Sequence, residues 1–275
     1  MNLKSFLVTL ALLLPVSLFS QTAYPGVKSQ WEGCDRYDFT VEGRDAIVVV
    51  PAQAAPGRPW ICRPAFFDAF ASVDKALLKK GWHVAYYDVT HLYGSPRAVR
   101  LFKAFYDYVV PAFSLAPKLT VEGFSRGGYF AFNWAAAYPE TVSSLYVDAP
   151  VCDITSWPSR RDAKLWQDFL AEWGVRDEDV DSGFRGNALQ VLPAVAAARI
   201  PIISVCGAAD RAVPYDENMR KVEEAYRSLR GIVEVIVKPG CDHHPHSLSD
   251  PTPVVDFLCR CLPDREVIVP ERLSQ

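Results

Sequence analysis

The chemistry of this chain is most legible in the stretch Leu119-Thr120-Val121-Glu122-Gly123-Phe124-Ser125-Arg126-Gly127-Gly128. It satisfies G-x-S-x-G, with a strand-like apolar run before the serine and a helix-like run after it, so Ser125 is expected on a cramped strand-to-helix turn. Gly123 and Gly127 are then expected where a side chain would strike neighbouring backbone. A glycine-rich turn whose serine merely caps a helix has the same local pattern, so the motif needs partners elsewhere. A serine hydroxyl is a poor nucleophile at neutral pH and requires a histidine base oriented by a carboxylate.

Both partners follow in the order serine, acid, histidine. Asp210 lies just after the apolar run 200–205, in Gly207-Ala208-Ala209-Asp210-Arg211-Ala212-Val213-Pro214, although the same position suits an Asx-turn or helix cap. The next β-type run, 233–237, leads into Lys238-Pro239-Gly240-Cys241-Asp242-His243-His244-Pro245-His246. His243 is the expected base. His244 is the alternative, or else a substrate contact. Asp148, following the run 143–147, is the alternative acid, and Glu122 a further one. Three histidines beside Asp242 also fit a transition metal. That reading would make the serine turn and the Asp210 loop coincidences, so no metal is expected.

A tetrahedral intermediate needs backbone donors aimed at its oxyanion. The Arg126 amide is the first expected donor. The second should come from Arg63-Pro64-Ala65-Phe66, where Pro64 has no N–H and Ala65 or Phe66 must serve; Ala65 is the assignment carried forward.

These residues must be positioned by regular elements, and strand and helix signals alternate along the chain. Strands are expected over 37–45, 46–51, 59–62, 82–89, 119–122, 143–147, 200–205 and 232–237. Helices are expected over 71–80, 98–108, from Ser125 to 138, 216–229 and 253–262. Such alternation predicts an α/β fold with a mostly parallel sheet covered by helices on both faces, its ligands at the carboxyl ends of the strands. From about 152 to 198 the alternation lapses into a stretch with Trp157, Trp166 and Trp173, read as a small cap inserted in a single domain spanning 21–275.

The 275 residues, half apolar and 22% charged, are those of an ordinary folded protein. Residues 1–20 read as a signal peptide, because the apolar run 6–19 is shorter than the roughly 20 residues that a membrane span needs. A secreted or periplasmic protein without stable membrane insertion is therefore expected, and a monomer. A formal net charge of −3 disfavours a nucleic-acid partner. The seven cysteines are odd in number and show no zinc spacing, so most are expected to be small buried hydrophobes.

With the elbow at Ser125, the acid at Asp210 and the base at His243, the chain resembles the α/β-hydrolase superfamily over nearly its whole length after residue 20. The resemblance implies an eight-stranded sheet, a cap after the sixth strand and a reaction through an acyl-enzyme, with no cofactor. More narrowly, His243-His244-Pro245-His246-Ser247-Leu248-Ser249-Asp250-Pro251 and Trp82-His83-Val84-Ala85-Tyr86-Tyr87-Asp88-Val89 look like segments of exported bacterial carbohydrate esterases, some acting on pectin as methylesterases. That implies a carbohydrate ester substrate carrying methyl or acetyl groups. Arg63, Arg126 and Arg211 flank the catalytic loops and suit a substrate bearing carboxylates, with Trp157 and His244 as further contacts. Neutralisation of these arginines by nearby acids is the competing reading. A serine peptidase on the same scaffold and a carbohydrate-binding relative without activity are the rival functions.

Overall fold

The computed structural model describes residues 24–262; the expected signal peptide, residues 1–20, lies outside them. Nine strands form one sheet: β1 (Val27–Trp31), β2 (Cys34–Val41), β3 (Arg44–Val50), β4 (Trp60–Arg63), β5 (His83–Tyr87), β6 (Leu119–Phe124), β7 (Val142–Asp148), β8 (Ile202–Gly207) and β9 (Val233–Lys238). Eight helices accompany them among the described residues: α1 (Ser72–Lys79), α2 (Pro96–Ala112), α3 (Gly127–Ala137), α4 (Ala163–Trp173), α5 (Asp177–Gly183), α6 (Ala188–Ala197), α7 (Met219–Ser228) and α8 (Thr252–Arg260).

The spatial order is β1-β2-β3-β5-β4-β6-β7-β8-β9. From β5 to β9 the neighbouring strands are parallel, while β1, β2 and β3 form an antiparallel flank. The fold is the expected α/β-hydrolase architecture, with nine strands in place of eight. The additional strand, β1, is exposed everywhere except at Trp31, so backbone pairing and not an apolar pattern specifies it. The chain passes from β4 to β5 on one side and from β5 to β6 on the other. The crevice outside the carboxyl end of β4 is therefore a topological switch point, where open α/β sheets bind ligands.

Each face of the sheet has its own apolar core. Alternate strand residues such as Val48, Cys62, Ala85, Val121 and Leu145 meet α2, α3, α6 and α7 through Phe102, Phe105, Trp134, Leu192 and Val222. Their neighbours Val49, Ile61, Val84, Tyr146 and Ile203 point the other way, against Leu77 of α1 and Leu258 of α8. This period of two, buried on both sides, is why these strands read as continuous apolar runs. At the entry to α2, the Ser95 hydroxyl accepts a hydrogen bond from the Ala98 N–H, with Pro96 at the first helical position.

The insertion is smaller than expected. Helix α6 buries Ala188, Leu192 and Val195 in the main core, so it is the crossover helix between β7 and β8 and not part of a cap. Helices α4 and α5 and the loops around them, within residues 152–187, instead pack Trp166, Phe169, Leu170, Val180 and Phe184 into a separate apolar cluster with Tyr93, Tyr129, Val151 and Val213. Trp157 and Trp173 pack against that cluster, and the Trp173 indole N–H donates to the Tyr93 carbonyl at 2.9 Å. Trp157, expected as a substrate contact, is partly buried and packs against this cluster.

Candidate active site

Ser125 stands at the carboxyl end of β6 with φ of 50°, the strained left-handed conformation of a sharp strand-to-helix turn. The strain is held by backbone on every side. The Ser125 N–H donates to the Asp148 carbonyl at 2.9 Å, and its own carbonyl accepts from the N–H groups of Gly128 and Val151, each at 2.9 Å. A Cβ on Gly123 would lie 2.8 Å from the Gly127 carbonyl oxygen, and one on Gly128 would lie 2.5 Å from the Pro150 Cβ. A Cβ on Gly127 would meet only the Pro64 Cγ, at an ordinary 3.6 Å. The glycines that the turn requires are therefore Gly123 and Gly128, which corrects the expectation for Gly127.

The two loops that follow β8 and β9 bring the other groups to the serine. His243 Nε2 is 3.0 Å from Ser125 Oγ, and His243 Nδ1 is 2.7 Å from Asp210 Oδ2. The other Asp210 oxygen accepts from the N–H groups of Ala212 and Val213, at 2.9 and 2.8 Å. The carboxylate is buried and fully held, so it fixes the imidazole with one nitrogen toward the hydroxyl. The two loops are also joined to one another. Asp242 accepts from the Arg211 side chain at 2.6 and 2.9 Å, from the Arg211 N–H at 3.0 Å and from the His243 N–H at 2.8 Å. Those donors, the Arg211 N–H first, hold the Asp242 carboxyl down at about 2. Gly207 is needed at this junction, because a Cβ there would come within 2.5 Å of the carbonyls of Cys241 and Asp242.

Asp148, the alternative acid, serves a different histidine. Its two oxygens take His246 Nδ1 and the Ser247 N–H, each at 2.7 Å, and Tyr146 O–H adds a donor at 3.3 Å. His246, expected to shape the loop or meet substrate, is buried and ties the histidine loop to the end of β7. His244 is exposed and stacks on Phe70, its ring 5.6 Å away, so it lies beside the base without being the base. The three imidazoles pack edge to face, with centroids 4.8 to 4.9 Å apart.

Glu122 and Arg63 belong to the scaffold. The Arg63 guanidinium is only 2% exposed, 3.0 Å from Glu122 and 3.7 Å from Asp74. It also donates to the carbonyls of Phe66 and Ala69, at 2.9 and 3.1 Å, so it holds from beneath the loop expected to carry an oxyanion donor. That loop places Phe66, Asp68 and Phe70 at positive φ, a conformation that needs such support. Burial, and Asp74 beside it, push the Glu122 carboxyl well above its usual range against the pull of Arg63. Arg63 is therefore corrected from substrate contact to loop support. Arg211 is likewise engaged by Asp242.

The Arg126 amide opens α3, where a helical N–H has no carbonyl partner within its own helix. Its side chain lines a cleft of about 530 Å³ with His91, Tyr93, Lys164, Asp168 and Glu172. No disulfide joins the described cysteines, and Cys62, Cys152, Cys206 and Cys261 are buried as small apolar groups.

The sequence profile of the prolyl oligopeptidase family matches residues 99–264, more than half of the chain. A stretch of 125 residues is 26% identical to the mouse acylamino-acid-releasing enzyme, covering 42% of this chain and 16% of that protein. Among solved structures, dipeptidyl peptidase 4 of Porphyromonas gingivalis aligns with a TM-score of 0.64 at 16% identity, over 87% of this chain and 36% of the other. The acylaminoacyl peptidase of Pyrococcus horikoshii aligns with a TM-score of 0.63 at 14% identity, over 90% and 44% of the two chains. At such identities these structures establish the fold alone, and this chain spans less than half the length of each of these relatives. The expected closer likeness to pectin methylesterases gives way to a family whose named relatives are peptidases. The chain has the α/β-hydrolase fold and belongs to the prolyl oligopeptidase family.

Proposed function

We propose that this protein hydrolyses an acyl bond through an acyl-enzyme on Ser125, with a peptide or N-acylated amino acid as substrate. The continuous hydrogen-bonded line Ser125–His243–Asp210 carries this reading. In the proposed cycle His243 Nε2 takes the Ser125 proton as Oγ attacks the carbonyl carbon. The tetrahedral oxyanion is held by the N–H of Arg126 and that of Ala65. His243 then returns the proton to the leaving group, and water repeats the sequence to free the acid. Asp210 orients the imidazole and stabilises its cation. No step calls for a cofactor. Family membership favours the peptide substrate over the carbohydrate ester expected from the sequence. Export through the N-terminal segment and a monomeric state remain part of the proposal.

One observation favours a second reading, an ester of a carboxylate-bearing glycan. Arg126, next to the nucleophile, has no acidic partner among the described residues, and His244 is exposed beside the base.

The test is a panel of aminoacyl and peptide amides beside methylated and acetylated pectic material, with a fluorophosphonate probe to report the serine. Labelling and turnover are both expected, and Ser125→Ala should abolish labelling and lower kcat by on the order of 10⁴-fold or more. Undiminished turnover in that variant would overturn the mechanism. Release of methanol or acetate without amide cleavage would select the second reading.

A further inference from the structure

We propose that the cleft beside the elbow is a carboxylate-binding subsite in which the Arg126 guanidinium holds a free acid group carried by the acyl donor. The proposal rests on Ser125 marking the reacting centre, and it goes beyond that reading in naming the chemistry recognised next to it.

The case begins with the partners of the charged groups around the catalytic loops. Arg63 is paired with Glu122 and Asp74, and Arg211 with Asp242. Acids in the cleft wall are also engaged: Lys164 reaches Asp168 at 2.7 Å, and Glu172 accepts from Ser95 at 2.7 Å and from Arg97 at 3.1 Å. Arg126 differs from all of these. Among the described residues no carboxylate lies within ion-pair distance of it, and its polar contact is His91 Nδ1 at 3.3 Å. The guanidinium is also half-buried and lies over the Phe66 ring, 5.3 Å from the centroid, which restrains it toward the cleft. Burial makes an uncompensated cation costly, and the cost is relieved when an anion arrives. Desolvation is accordingly the main influence on this guanidinium, holding its pKa below the usual arginine value.

The ligand chemistry follows from the shape of the group. A guanidinium presents parallel N–H donors that match a carboxylate bidentately. Arg126 follows the nucleophile directly in the chain, so the acid recognised lies close to the bond that is cleaved.

The experiment uses Ser125→Ala protein, so that binding is read without turnover, and two small probes, monomethyl adipate and its neutral counterpart in which the free acid is an amide. Calorimetry at low salt is expected to show the acid binding at least tenfold tighter, with the preference shrinking as salt screens the charge. Arg126→Gln in the same background should bring the ratio to about one, and Arg126→Lys, which keeps charge but loses the fork, to an intermediate value. Equal binding of the two probes, or a preference that survives Arg126→Gln in a variant with native melting behaviour, overturns the subsite. Failure of the acyl-enzyme reading would instead appear as absent turnover in the unsubstituted protein.

Discussion

Arg63 shows how far a side chain's role depends on which way it points. In the sequence it stands beside the oxyanion loop and resembles a substrate contact. In the fold it turns beneath that loop, 2% exposed between two carboxylates. The same limit applies to the glycines of the elbow. The G-x-S-x-G pattern gives Gly123 and Gly127 equal weight, but a clash depends on what lies opposite, and Pro150 lies opposite Gly128 while only Pro64 approaches Gly127. Gly127→Ala should therefore be neutral or stabilising by up to about 1 kcal/mol, since alanine is the better helix residue. Gly123→Ala and Gly128→Ala should each cost about 1–3 kcal/mol as overpacking. Denaturant midpoints of the three variants check this, and equal losses at all three positions would refute it.

At the scale of elements, two loops hold the active groups by separate carboxylates. The loop after β8 offers Asp210 to His243, and the end of β7 offers Asp148 to His246. Their assignments predict different failures. Asp210→Asn should lower kcat by on the order of 10⁴-fold, because it disturbs the tautomer and orientation of the base. Asp148→Asn should instead cost about 1–3 kcal/mol of stability by weakening a buried anchor, with a loss in kcat below about a hundredfold. Turnover of an activated ester and chemical denaturation of both variants distinguish the two cases; the reverse pattern would exchange the roles. Eight of the nine strands among the described residues were legible, because apolar runs bounded by turn residues mark buried parallel strands, while α4, α5 and α6 fell within the stretch read as a cap. The edge strand β1 was not, since it has no apolar face to register it. Helix α6 was taken for cap because its role as a crossover depends on packing against α3.

The whole molecule carries a predicted sensitivity to acid that lies away from the site. His83, at the start of β5, is buried against Arg58, with Arg58 Nη2 3.2 Å from its ring Nε2. Burial first, and the Arg58 charge second, push its pKa down from 6.5 to about 4. The unfolded chain then takes up the proton before the folded chain does. Stability from this group is present above about 6.5 and is lost as pH falls toward about 4. Between about pH 7.5 and about pH 5 the loss should be about 2 kcal/mol, and His83→Gln should remove most of that dependence. Denaturation curves at the two pH values measure it, and an unchanged slope in the variant would show that another group is responsible.

By itself, the sequence determined the frame and the candidate catalytic groups, because a nucleophile elbow, an acid loop and a histidine loop at the ends of successive β-type runs follow from local pattern and chain order. Which of two acids meets which of three histidines, which glycines are sterically required and which of three arginines keeps a free charge were decided by tertiary structure alone. Those outcomes depend on distances between segments far apart in the chain: Ser125 and His243 stand 118 residues apart and 3.0 Å from side chain to side chain. Packing brings such groups within reach of one another, and their mutual neutralisation then sets what is left to meet a substrate.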